Sequence, residues 1–168
     1  LLAMIIILVY IVMASQFESF MSPFVIMFSI PFAFVGVFMG LWVTGTPLGT
    51  MGMIGILILM GIVVKNGIVL IDYTILMRER GKSVAEASVI AAKSRLRPIL
   101  MTTLTTVLGM IPMAIGQGEG SEMWRSLGMV VAWGLSISTL VTLVIIPTVY
   151  ASMASWQERR AARKAAKA

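Results

Sequence analysis

An all-α integral membrane bundle with five transmembrane spans, the first clipped at its start, is the fold that this sequence predicts. Three observations carry the prediction. Hydrophobic residues make up 59% of the chain and charged residues 12%, whereas about a quarter of a soluble domain is charged. The apolar residues gather into runs close to the ~20 residues that a bilayer demands. The basic residues gather into alternate breaks between those runs, as they do in multi-pass proteins.

In order along the chain, the runs and their boundaries read as follows. Residues 1–13 form a partial run that opens at Leu1 without an initiator Met. No basic region precedes it, so a signal peptide is a poor reading, and a span truncated at its start fits better. The expectation is a C-terminal piece of something larger. A break at Gln16 to Ser22, containing Glu18, precedes the second span at 23–43. The turn Thr44-Gly-Thr-Pro47 then leads into the third span at 49–73. A polar stretch from Arg78 to Lys93 follows, in which Gly81 can end one helix and Ser83 with Glu86 has the form of a capping box. A small interfacial helix is therefore expected to link spans three and four. The fourth span covers 98–115, the turn Gly116-Gln-Gly-Glu-Gly-Ser121 follows it, and the fifth covers 124–150. Residues 151–168 form a basic tail.

Eleven of the thirteen Lys and Arg residues fall either between spans three and four or after span five. A round trip through spans four and five puts both segments on one side, which the positive-inside rule makes cytoplasmic, the C-terminus included. The net charge of +6 is thus topological and implies no nucleic acid, although a juxtamembrane cluster of this kind can attract anionic membrane lipids. Trp42, Tyr73, Trp124, Tyr150 and Trp156 fall near span ends, where amphipathic rings prefer to sit.

The chain holds no Cys and no His, which removes disulfides, thiolate chemistry, and the commonest general base and metal ligand. Nothing resembles a hydrolytic triad, a phosphate loop or a metal centre, so neither an enzyme nor a resident cofactor is expected. The Met residues are scattered along apolar faces and read as gap-fillers. Gly36 and Gly40 have the spacing that permits close helix approach.

Lys65 is different. A cation near mid-membrane costs roughly 2.5–3.5 kcal/mol on insertion scales and marks function by default. Asp72 lies seven residues away at the end of the same run, roughly 10 Å along the axis at about 1.5 Å per residue, too far for a direct pair. No other Asp or Glu lies within a run, so a partner must come from elsewhere. Snorkelling to the interface is the plainer alternative, but Asn66 beside Lys65 also needs a partner. Span four offers Thr102, Thr103, Thr105 and Thr106, with Thr102 at a depth comparable to that of Lys65. Such hydroxyls also bond commonly to their own helix. Arg95 and Arg97 stand at the entry of span four, where an interface anchor is the ordinary role.

Several stretches resemble the C-terminal membrane half of the resistance-nodulation-division (RND) superfamily, particularly its hydrophobe/amphiphile multidrug efflux pumps. These are Gln16-Phe-Glu-Ser-Phe20, Thr44-Gly-Thr-Pro-Leu48, Gly61-Ile-Val-Val-Lys-Asn-Gly-Ile-Val-Leu-Ile-Asp72, Arg95-Leu-Arg-Pro-Ile-Leu-Met-Thr-Thr103 and Gly118-Glu-Gly-Ser121. The resemblance implies a twelve-span protomer of which this chain supplies the last five spans. It implies a proton-driven antiporter of the bacterial inner membrane, with protons as the coupling ion, and a homotrimer working with a periplasmic adaptor and an outer-membrane channel. Its intramembrane relay would use Lys65, Asn66, Arg95 and Thr102 together with aspartates in the N-terminal half. Metal- and lipid-exporting relatives share the layout, and a non-transporting membrane anchor is the alternative from outside the superfamily.

Overall fold

The computed structural model describes residues 2–165 as helices joined by short turns, with no strand among the described residues. Leu1 of the clipped run and residues 166–168 of the basic tail, Lys167 among them, lie outside the described residues.

Helix α1, Leu2–Phe17, is almost wholly apolar and ends where the chain turns at Glu18. Helices α2, Met21–Met27, and α3, Ile30–Thr44, together make the second span. They are separate because Pro31 has no N–H to offer the carbonyl one turn back. Ser29 lies in the break and donates its hydroxyl to the carbonyl of Ile26 at 2.6 Å. Gly45 closes α3 at φ 62, a left-handed conformation that costs a glycine little.

Helix α4, Thr50–Glu79, continues past the apolar run through Leu76, Met77 and Arg78, all good helix formers. Helix α5, Val84–Ile115, begins at the capping box: Ser83 Oγ accepts from the Glu86 N–H at 3.3 Å, and the Glu86 carboxylate accepts from the Ser83 N–H at 3.4 Å. The expected separate interfacial helix is corrected here, because α5 runs unbroken from that cap into the fourth span. Charge ends the apolar run at Lys93 to Arg97, but Lys and Arg do not interrupt a helix. Helix α6, Ser121–Ala165, likewise passes beyond Tyr150 into the tail. Its extension is tied to α4 by an ion pair between Arg78 and Glu158 at 2.8 Å.

Four of these units are long and apolar enough to cross a membrane: Met21–Thr44, Thr50–Glu79, Val84–Ile115 and Ser121–Arg160. Helix α6 is the hub, packing against α3, α4 and α5. Small residues let it approach closely. A Cβ built on Gly36 would lie 3.0 Å from Ile137 Cβ and 3.2 Å from Gly134 Cα, and one on Gly40 would overlap the Trp133 side chain. The core joins Val25, Val37, Leu59, Val63, Leu70, Val130, Leu135 and Ile146, all at or near full burial. Large apolar side chains such as Phe38, Leu108, Leu140 and Val144 remain more than half exposed. A surface of that kind is suited to lipid or to further helices, not to water.

Candidate functional site

Lys65 and Asn66 are adjacent on α4, and a helix of 3.6 residues per turn sends neighbours in different directions. Asn66 is buried with Val63, Val64 and Gly67. Lys65 is exposed, on a stripe with Gly61 and Asp72. A Cβ added to Gly61 would meet nothing within 4 Å, whereas one added to Gly67 would come within 2.8 Å of Ile26. One face of α4 is therefore closed against this chain and the other is open. Among the described residues the single ion pair is Arg78 with Glu158, so Lys65 takes part in none.

Helix α5 contributes the other two predicted residues. The Arg95 guanidinium lies over the Tyr73 ring of α4, 4.7 Å from its centroid, a cation–π contact of the kind favoured where water is scarce. Its Nε is buried without a hydrogen-bond partner. Thr102 is exposed, and its hydroxyl donates to the Pro98 carbonyl at 3.0 Å. That bond is the ordinary one by which a helical threonine hydroxyl satisfies itself on the carbonyl four residues back.

The packing ladder fixes relative depth. Built Cβ atoms place Gly52 of α4 against Ser126 of α6, Gly55 against Val130, and Gly67 against Ile146, while Leu59 reaches Gly134. The two helices are thus parallel, and Lys65 stands level with the turn of α6 from Leu140 to Val144. On the antiparallel side, Gly128 of α6 meets Ala114 of α5, and Thr139 shares a hydrogen bond of 3.1 Å with Thr103. Lys65 and Thr102 consequently occupy one layer, on adjoining helices. Arg95 lies about two turns nearer the basic end, beside Tyr73. The chain brings Arg95 onto α4 and sets Lys65 level with Thr102, but it joins none of the four to another by a hydrogen bond.

The sequence grouped four threonines and singled out Thr102, yet the buried one is Thr103, paired with Thr139. A signal for it was present. Ile99 and Thr103 share a face of α5, and Leu135, Thr139, Thr142 and Ile146 follow helical spacing on α6, so the two hydroxyls fall on apolar, inward stripes. Thr142 Oγ1 is also buried and has no partner.

The outward layer at Lys65 and Thr102 has one cation, hydroxyls and no acid. Lys65 there offers N–H donors and a positive charge, and the Thr102 oxygen, whose proton goes to the Pro98 carbonyl, is left as an acceptor.

Comparison with known proteins identifies the family. A family model described as the AcrB/AcrD/AcrF family matches residues 1–154. The swarming motility protein SwrC of Bacillus subtilis is 44% identical over 154 residues, covering 91% of this chain and 15% of that protein. The multidrug resistance protein MdtC of Proteus mirabilis is 38% identical over 168 residues, covering 97% of this chain and 16% of MdtC. MdtC of Erwinia tasmaniensis is 40% identical over 152 residues, covering 90% and 15%. Among solved structures, the crystal structure of a heavy metal efflux pump superposes with a TM-score of 0.82 at 32% identity, covering 92% of this chain and 15% of the pump. The chain spans about 15% of the length of these relatives. With four helices long and apolar enough to cross a membrane, the chain is a segment of an RND-superfamily protein and belongs to the AcrB/AcrD/AcrF family.

Proposed function

We propose that the transporter containing this segment is a proton-driven antiporter that exports hydrophobic or amphiphilic compounds, and that Lys65, Asn66, Arg95 and Thr102 are this segment's part of its proton relay. The carrying observation is the Lys65 layer: a membrane-depth cation on an open helix face, level with Thr102, with no ion-pair partner among the described residues. A buried or lipid-facing ammonium is stable at depth when an opposite charge meets it. Carboxylates from the N-terminal half, once ionised, hold the Lys65 ammonium. Once protonated they lose that attraction and turn their O–H toward acceptors such as the Thr102 oxygen. The helices then have two arrangements, biased by protonation. Asn66 is buried beside Gly67, which packs against Ile26 of α2 and Ile146 of α6, and so links the layer to the core. Arg95, held against Tyr73 near the basic end, keeps a fixed positive charge beside the route by which protons leave.

In this reading the basic end and the C-terminus are cytoplasmic. The assembly is a homotrimer with a periplasmic adaptor and an outer-membrane channel, and protons are the only coupling species, with no bound cofactor. The name of MdtC supports a drug substrate. A metal-exporting pump is the second reading, favoured by the likeness to the heavy metal pump.

Lys65→Met tests the proposal, because it keeps length and apolar volume while deleting charge. In the full-length transporter at normal expression, drug export and substrate-dependent proton flux should both fall to background. If both stay near wild type, Lys65 is not part of the coupling machinery. Parallel uptake assays in everted vesicles, with amphiphilic dyes and with monovalent or divalent metal ions, separate the two substrate readings.

A further inference from the structure

A second feature lies on another side of the bundle. Between the first turns of α5 and the later half of α6 is an open groove with a volume of about 440 Å³, within the range of small-ligand pockets. Ala85 and Val89 of α5 and Val144, Pro147 and Ala151 of α6 line it, and Lys93 stands at its rim. No lining residue comes from α4, so the groove opens away from Lys65. Its position follows from two helices that do not run in step. The α5 wall belongs to the polar stretch before Pro98, while the opposing α6 wall is still apolar membrane span. Small side chains on α5 at 85 and 92 leave the space unfilled.

We infer that this groove is a binding site for one anionic glycerophospholipid from the leaflet at the basic end, with an acyl chain along Val144 and Pro147 toward the membrane interior and the headgroup phosphate at Lys93. Charge complementarity selects the occupant. Lys93 is the cation that lines the slot, and no acidic side chain lines it among the described residues. A slot that is apolar within and cationic at its rim, at headgroup depth between two membrane-spanning helices, matches an anionic amphiphile. A helix from elsewhere in the protein would leave Lys93 to be neutralised by an added acid.

The test uses the full-length transporter in phosphatidylcholine nanodiscs containing a phosphatidylglycerol with a photoreactive acyl chain, and the labelled peptides are mapped by mass spectrometry. Label should fall on residues 144–147, and unlabelled phosphatidylglycerol should displace it about fivefold better than phosphatidylcholine, the preference one surface cation provides. Lys93→Gln should keep the label and lose most of that preference. Val144→Trp, at a position 68% exposed, fills the slot without disturbing the core and should remove the label from these residues while other lipid-facing peptides label as before. Absence of label from the groove in the wild type means that another part of the transporter covers it, and overturns the inference. Label that is blind to headgroup, or unchanged by Val144→Trp, overturns it as well.

Discussion

At the scale of single residues, glycines and threonines that look alike in the sequence separate into two kinds. Gly40 sits against Trp133 with no room for a Cβ, whereas Gly61 faces open space. Gly40→Ala should therefore destabilise the bundle by about 1–3 kcal/mol through overpacking, read as a lowered midpoint in thermal or denaturant unfolding. Gly61→Ala should leave that midpoint unchanged and lower export, if another helix closes on the Lys65 face. The threonines divide in the same way. Thr103 and Thr139 satisfy each other in the core, so Thr103→Val strands a hydroxyl and should cost about 1–3 kcal/mol, most of which the double change Thr103→Val with Thr139→Val restores. Thr102 bonds only to its own helix. Thr102→Ala should leave stability nearly intact while reducing proton-coupled export, and a conservative Thr103→Ser is the proper control beside it.

At the scale of elements, α5 carries both a mechanical continuity and the least buried of the four spans. Its start depends on one local device. Ser83→Ala removes the hydroxyl that accepts from the Glu86 N–H, a loss worth about 1 kcal/mol of helix stability. Hydrogen exchange of the Glu86 and Ala87 amides, both bonded to Ser83, should accelerate about fivefold, with exchange in residues 98–115 unaffected. If the whole of α5 accelerates together, the helix is one cooperative unit from the capping box through the fourth span. Helix α4 shows the complementary arrangement. Its inward face carries Gly52, Gly55, Val63 and Gly67 against α2 and α6, so that the helix is fixed on one side and available on the other.

At the scale of the whole molecule, sidedness follows from charge. The chain has no native Cys, so single cysteines at Ser83 and Ser121 in the full-length transporter report topology directly. Ser83 should label with membrane-impermeant maleimide only from the cytoplasmic side and Ser121 only from the periplasmic side. Labelling of both from one side would remove the five-span arrangement and, with it, the assignment of the basic end. The exposed apolar surface is distributed over all six helices, as expected of a bundle whose remaining neighbours are lipid and further helices.

The sequence by itself determined the fold class and the order of the apolar helices, and it singled out Lys65 as a cation within an apolar run, because each rests on local quantities. Run length sets what can cross a bilayer, the sided distribution of Lys and Arg biases its direction, and a cation at depth is recognisable without knowing its neighbours. Gly81, Ser83 and Glu86 likewise announced a helix end and a helix start through purely local geometry. Apolar run length could not say where helices stop, since Lys93 to Arg97 leave the membrane-like composition without leaving the helix. Only the tertiary structure decided which threonine turns inward, which face of α4 is closed, and that Arg95 rests on Tyr73. The reason is physical. Those outcomes depend on how α4, α5 and α6 rotate about their own axes, and the near-uniform hydrophobicity of each span leaves rotation to be settled by close packing at Gly40, Gly67, Gly128 and Gly134.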